Sequence, residues 1–316
     1  MKSGRTRSLG LAALALAALA QPASAGLVTF DPDGAAAGNS AQPIGGLDWA
    51  PGNSLQQGIN PPTVGATVQH RYQATLTGVI NPAGLTVAPT GLNSTFELTA
   101  VMSVTEVVTS VSSAGGLNTV TYAVAGVQSA NSFFEIWFDS TPDANNLAGT
   151  GFNDGSRIYL GGPDPAKTSL GSYTGSAAAE LFDQFGADNY AGKQSQVGTG
   201  GFTDENTVTS RDASFFITDI ASMSFNTSMV TPFEVVDPSM VFAGQANGVP
   251  PAIVPNIGNP NGLQSSAPDI QYQSDASVTF TAVPEPTGPL AAAAGFALAA
   301  TATRRRRRAG SLVSAQ

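Results

Sequence analysis

The stretch VQHRYQATL, residues Val68–Leu76, contains the pattern that decides the fold. Apolar residues and His70 occupy every second position, and the positions between them are all polar. Because successive side chains of a strand point to opposite faces, this period of two predicts a β-strand with one buried face. His70 falls on that buried face, which favours a histidine of the core or of a sheet edge over a general base.

Further segments are rich in β-branched and aromatic residues and end at Gly, Asn, Asp or Pro, which predicts more strands. They are Phe96–Thr105, Thr119–Val127, Phe133–Phe138, Ala213–Ile220 and Ala276–Ala282. The 35 glycines and 21 prolines are typical of turns. We therefore expect an all-β fold, an antiparallel β-sandwich or jelly roll. One short helix is predicted at Ala177–Phe185, and a long loop at Asn247–Pro268.

Residues 1–25 have the three regions of an export signal. Basic residues lie within the first seven positions, an apolar run follows at Leu9–Ala20, and Ala23 and Ala25 form an A-x-A cleavage site. The run is about a dozen residues, whereas a membrane span needs about 20. The sequence therefore predicts export through the Sec translocon and cleavage by signal peptidase, with Gly26 as the mature N-terminus.

The C-terminus also has three ordered parts. Pro284, Glu285 and Pro286 precede an uncharged, alanine-rich segment at Thr287–Thr303. Five arginines follow it: Arg304, Arg305, Arg306, Arg307 and Arg308. Basic residues beside an apolar segment stay cytoplasmic, so residues 309–316 are predicted to be a cytoplasmic tail and residues 26–283 an external β-rich ectodomain. The 17 apolar positions reach roughly 25 Å as a helix, less than the hydrocarbon core of about 30 Å, which suits a transient anchor.

This tail, residues 284–308, resembles the PEP-CTERM sorting signal of Gram-negative bacteria, which has the same three parts in the same order. The resemblance implies recognition by an exosortase, a transpeptidase-like membrane enzyme, and an association with exopolysaccharide. It also implies a location that is first the inner membrane and then the cell surface or the extracellular space.

Phrases in the ectodomain resemble exported PEP-CTERM proteins, some of them described as flocculation-associated. They are Phe134–Trp137, Leu147–Gly155, Thr231–Phe233 and Asp237–Ser239. This second resemblance implies a role in the matrix or in cell aggregation, and it carries no catalytic residues with it.

The charge of the ectodomain excludes some partners. Residues 26–283 contain 5 of the chain's 13 basic residues and 21 of its 22 acidic ones, a net charge of 5 − 21 = −16. Such a surface repels nucleic-acid phosphates, so we expect no nucleic-acid partner. The chain has no cysteine and one histidine, which excludes thiolate chemistry and multi-histidine metal sites within one chain.

The segment Asp139–Asp154 is the candidate metal site. Its oxygen donors include Asp139, Asp143, Asn145 and Asp154, and calcium takes six to eight oxygen ligands. The spacing differs from that of an EF-hand loop, and Asn, Asp and Gly also populate ordinary turns. An ordinary turn and a calcium site both remain open, and calcium is the one cofactor that the sequence suggests.

The sequence offers two further kinds of site. Trp49 lies in a stretch rich in Gly and Pro, which makes it the candidate for an exposed platform that stacks on sugar rings, although tryptophans in loops usually pack against the protein. Six glutamates of the ectodomain could supply the acid and base of a glycoside hydrolase, but their spacing singles out no pair. They are Glu97, Glu106, Glu135, Glu180, Glu205 and Glu234.

The sequence predicts a non-enzymatic surface or matrix protein with a structural or adhesive role, linked to exopolysaccharide or cell aggregation. A carbohydrate-binding surface module is the alternative. An exported glycoside hydrolase has the least support, because no catalytic constellation is recognisable.

Overall fold

The alternating segments form antiparallel strands that pair into one large sheet. The computed structural model describes residues 26–34, 40–58, 62–129, 132–146, 148–167, 170–176, 180–181, 194–195, 198–231, 261 and 270–283. All of these except Val283 belong to one compact unit, Ser24–Ala282. The strands are β1 (Val28–Phe30), β2 (Gln42–Ile44), β3 (Gly46–Gln57), β4 (Thr67–Ile80), β5 (Thr86–Val87), β6 (Glu97–Ala114), β7 (Leu117–Val124), β8 (Phe133–Asp139), β9 (Ser156–Pro163), β10 (Leu170–Ser176), β11 (Glu180–Leu181), β12 (Gln194–Ser195), β13 (Gly198–Arg211), β14 (Ile220–Thr231) and β15 (Ile270–Ala282).

The large sheet closes on itself. Its strands follow the order β10-β7-β6-β8-β9-β13-β14-β15-β3-β4-β5, and β4 also pairs with β6 and β10 with β13. One edge of β6 pairs with β4, while its other edge pairs first with β8 and then with β7. Likewise β13 pairs with β14 on one edge and with β10 and β9 in succession on the other. The result is a closed ring with eight strand positions. Strands β8 and β7 follow each other along one position, and β9 and β10 along another.

The predicted all-β, antiparallel class is confirmed, and the described residues include no helix. The strand pairing does not divide into the two facing sheets of a sandwich, because it runs continuously around the ring. The predicted export signal, the tail from Pro284 onward and all of the loop Asn247–Pro268 except Asn261 lie outside the described residues. Among the residues that are described, no helix is long and apolar enough to cross a membrane.

Two local predictions need correction. Within the predicted helix Ala177–Phe185 the structure describes Glu180–Leu181, which form a strand paired with Gln194–Ser195. Most of Ala213–Ile220 is a turn and not a strand, because Asp212 accepts hydrogen bonds from the backbone of the next residues, including a 2.9 Å bond from Phe216 N. Pairing with a partner strand and local capping both override intrinsic propensity.

One end of the ring is covered by the β1–β2 hairpin and the turn after β13. Phe30 and Phe216 are fully buried, and their ring centroids lie 4.9 Å apart. The backbone joins the two segments as well, since Asp31 N donates to Phe215 O at 2.8 Å. These aromatic side chains extend the apolar core at this end of the ring. The buried polar side chains described below lie towards the opposite end.

Candidate functional site

The structure brings together three of the four residues predicted to bind calcium. Asp139 ends β8, and Asp154 lies just before β9, the strand that pairs with β8. Because the two strands form a hairpin, the segment between them starts and ends at one place, and Asp143 folds back over it. Each of the three aspartates offers a carboxylate oxygen within 4.8 Å of the other two. Asp143 and Asp154 are exposed, and Asp139 is half-buried.

Buried Glu97 holds the middle of this segment in place. Its Oε1 accepts hydrogen bonds from the backbone N–H groups of Asp143 at 3.0 Å and Ala144 at 3.1 Å. Gly151 has a φ of +78°, and a Cβ there would lie 2.5 Å from Asp143 Oδ1, so only glycine allows this close approach. Burial raises the pKa of Glu97, the two backbone hydrogen bonds lower it, and the charges of Asp143 and Asp139 raise it further. Negative charge is therefore concentrated at this point of the surface.

Asn145, the fourth predicted ligand, has a local role in the turn. Its Oδ1 accepts a 3.1 Å hydrogen bond from Ala148 N, and its backbone N donates to Thr150 O at 2.8 Å. Asn145 therefore takes part in an ordinary turn, while the three aspartates offer three of the six to eight oxygen ligands that calcium takes. Calcium binding stays a prediction.

Millimolar calcium is expected to raise the melting temperature of the protein. An ion held at ten times its Kd stabilises the native state by about 1.4 kcal/mol, which corresponds to about 3–6 °C for a domain of this size. Differential scanning fluorimetry with calcium and with EDTA measures the shift.

Asp143→Asn separates ion binding from simple charge repulsion. In EDTA the variant should melt at or above the wild-type temperature, because it removes one of three clustered negative charges. In calcium it should lose the shift, because a ligand is lost. Asp164→Asn, in the β9–β10 connection, is the matched control and should keep the full shift. A wild-type protein with the same melting temperature in both buffers would rule out the calcium site.

A second polar cluster lies in the ring interior, centred on His70. Its residues come from four neighbouring strands of the ring, β15, β3, β4 and β6. Gln56 of β3 lies opposite His70 of β4, and Val68 of β4 lies opposite Glu106 of β6. His70 Nδ1 is 3.3 Å from Glu106 Oε1, and His70 Nε2 is 3.0 Å from Tyr272 Oη. Gln56 Nε2 donates to Glu106 Oε2 at 3.1 Å. His70 and Glu106 are both 0% exposed.

The Tyr272 hydroxyl determines which nitrogen of His70 donates a hydrogen bond. Burial, and then the charge of Glu106, raise the pKa of Tyr272 well above its usual range, so its hydroxyl stays protonated. Tyr272 can then donate to His70 Nε2, which leaves Nδ1–H to donate to Glu106. The Ser54 hydroxyl is hydrogen-bonded to Tyr272 and lies 2.8 Å from the Ser274 hydroxyl, so the hydrogen-bonded network continues to Ser274. Both oxygens of the Glu106 carboxylate accept a hydrogen bond, as a buried carboxylate requires.

Tyr272, His70 and Glu106 place a hydroxyl, an imidazole and a carboxylate in series inside the ring. Tyr272 is 2% exposed and His70 is 0% exposed, so neither presents a reacting atom to solvent. His70 therefore occupies the core position that the alternation predicted. Sequence reasoning missed its partner, although Glu106 continues the even-numbered buried positions of β6 after Met102 and Val104.

Trp49 corrects the predicted sugar platform. It lies in β3 and is 1% exposed, packed in the core of the ring. The prediction failed because Pro51 and Gly52, which suggested a loop, sit in a bulge that leaves β3 paired with both β4 and β15. An indole enclosed in this way cannot stack on a sugar ring.

The processing residues lie outside the described part of the chain. These are Ala23, Ala25, Pro284, Glu285, Pro286 and Arg304–Arg308. Comparison of the chain with protein-family models, with curated proteins and with solved structures finds no match.

Proposed function

We propose that this chain is an exported, exosortase-sorted protein of the cell surface or extracellular matrix, with a structural or adhesive role linked to exopolysaccharide or cell aggregation. The observation that carries the proposal is the three-part tail, in which Pro284-Glu285-Pro286, an apolar segment and five arginines follow one another. Strand β15 ends at Ala282, so only Val283 separates the sheet from this motif. A tether at that point would act directly on the folded domain.

The side chains of the described residues favour a structural role over catalysis. A Ser-His-Asp triad would need the single histidine, and His70 is buried with both ring nitrogens hydrogen-bonded. The carbohydrate-binding alternative is weakened, because Trp49 is buried and cannot serve as a stacking platform. Trp137, the second tryptophan, is half-buried and has the Arg157 guanidinium 5.8 Å from its ring centroid.

Intact mass of the protein from wild-type cells and from an exosortase deletion strain tests the proposal. We expect a species that begins at Gly26 and lacks the arginine tail in wild-type cells only. Glu285→Ala in wild-type cells should reproduce the deletion phenotype, whereas Thr287→Ala, just after Pro284-Glu285-Pro286, should be processed normally. A tail retained in both strains would make this a plain membrane-anchored protein and would overturn the sorting proposal.

A further inference from the structure

The outer half of β6 has an unpaired backbone edge. Strand β4 covers β6 as far as Val107, opposite Thr67, and two more hydrogen bonds join Val108 to Gly65 and Ala66. Residues 109–114 continue beyond this point and pair only with β7, among the residues that the structure describes. Each second residue of a strand directs its N–H and C=O groups to the same edge, so this segment presents donors and acceptors in register that no strand of the described ranges pairs with.

The edge lacks most of the features that prevent strands from associating. Natural edge strands are protected by lysine, proline, inward-pointing charges or bulges. Here a bulge lies at the start of the segment, between Val108 and Ser110. Beyond it the segment reads SVSSA and is followed by a Gly115-Gly116 turn. The chain contains no charged residue and no proline from Val107 to Phe134. All of residues 109–114 except half-buried Val111 are exposed.

The distribution of charge along the sequence favours a second copy of this chain as the partner. The ectodomain carries a net charge of −16, so two copies repel each other wherever their acidic surfaces meet. The edge segment itself carries no charge, so two copies can approach there without bringing like charges of β6 together. Two identical edges can also pair antiparallel about a twofold axis, with the same backbone groups on both sides. Val64, 60% exposed, precedes Gly65 at the start of the edge and adds apolar surface.

We propose that residues Thr109–Ala114 of β6 form a homotypic docking edge, through which two copies of this chain join their sheets by antiparallel strand pairing. The edge is six residues long, which is small beside the roughly 800 Å² that each partner buries in a stable complex. Each contact is therefore weak, and it becomes effective where many copies are held side by side on a surface. This inference does not depend on the sorting tail.

The absence of native cysteine makes a disulfide test direct. Twofold antiparallel pairing places a residue opposite itself, so single-cysteine variants Ser110→Cys, Val111→Cys and Ser112→Cys cover the three central registers. The full-length protein, expressed in cells and mildly oxidised, should give a covalent dimer on non-reducing gels for at least one variant. Ser172→Cys is the matched control, because Ser172 is exposed but its strand β10 is paired on both edges.

A second change tests whether strand pairing holds the copies together. Adding Ser113→Lys to the dimerising variant places a charge on the edge and should reduce the dimer at least tenfold. Dimer formation no greater in the three edge variants than in Ser172→Cys would overturn the proposal, and so would dimer formation that Ser113→Lys leaves unchanged. Reduced samples of each variant should run as monomers with normal expression, which excludes misfolding as the cause of either result.

Discussion

Glu106→Ala is expected to lower the free energy of unfolding by about 3–5 kcal/mol, because removing one partner of a buried pair leaves the groups that donate to it without an acceptor. His70 and Gln56 both donate to the Glu106 carboxylate, and His70 is 0% exposed. Their donors would then remain in the ring interior, where each unsatisfied group costs about 1–3 kcal/mol. Urea denaturation followed by circular dichroism measures the change.

Glu135→Ala is the matched control for this prediction. Glu135 Oε1 accepts a 2.7 Å hydrogen bond from Arg157 Nη1 on the outer face of the ring, and its Oε2 accepts a 3.1 Å bond from Trp137 Nε1. The Arg157 and Glu135 side chains are 42% and 12% exposed. An ion pair near the surface contributes about 0–1 kcal/mol and a further hydrogen bond about 1 kcal/mol, so this variant should lose clearly less stability than Glu106→Ala. Similar losses for Glu106→Ala and Glu135→Ala would show that the buried cluster contributes no more than a surface pair.

Trp49→Ala is expected to destabilise the protein by a comparable amount, about 3–5 kcal/mol, which is typical when a buried aromatic side chain is truncated. Trp49 is 1% exposed, and its Nε1 has no hydrogen-bond partner among the described residues. The loss would therefore come from packing in the core. Trp137→Ala should cost less, about 1–2 kcal/mol, because the half-buried indole lies on the outer face, where it makes a cation–π contact with Arg157 and donates a 3.1 Å hydrogen bond to Glu135 Oε2.

Fluorescence distinguishes the two tryptophans, because the chain contains no others. The Trp137→Ala protein retains Trp49 and should emit at shorter wavelength, with little quenching by acrylamide. The Trp49→Ala protein retains half-buried Trp137 and should be quenched more strongly. If Trp137→Ala proved the more damaging substitution, or if Trp49 were freely quenched, the buried position of Trp49 would be wrong and the sugar-stacking hypothesis would regain support.

Strands with a strict alternation, or with a run of β-branched and aromatic residues, could be predicted from sequence, and β3 could not. Val68–Leu76 alternates strictly and lies within β4, and the aromatic segment Phe133–Phe138 lies within β8. In β3 the pairing shifts between Trp49 and Asn53, so the alternation of buried side chains is lost there. The aromatic run around Phe216 was misleading for a different reason, since those side chains are apolar because they cover the end of the ring.

The candidate sites were predictable to different degrees for a similar reason. Asp139, Asp143 and Asp154 lie within 16 positions of sequence, and a single hairpin brings them together. The cluster around His70 instead combines β3, β4, β6 and β15, and Tyr272 is 202 positions from His70. Only the closure of the ring brings such residues into contact, and no local pattern encodes which strands become neighbours.

Ring closure also dictates when folding can be completed. Strand β3 pairs with β15, so Gln56 lies opposite Ile270, 214 positions later in the chain. If the chain is delivered from its N-terminus, β4 is soon available to one edge of β3. The other edge of β3, and the edge of β14 that β13 does not cover, remain unpaired until β15 is available. Contacts of such long sequence range form slowly, and exposed edges invite wrong partners during the wait. Synthesis of the final strand, β15, therefore sets the earliest moment at which the ring can close, and the earlier strands must avoid aggregation until then.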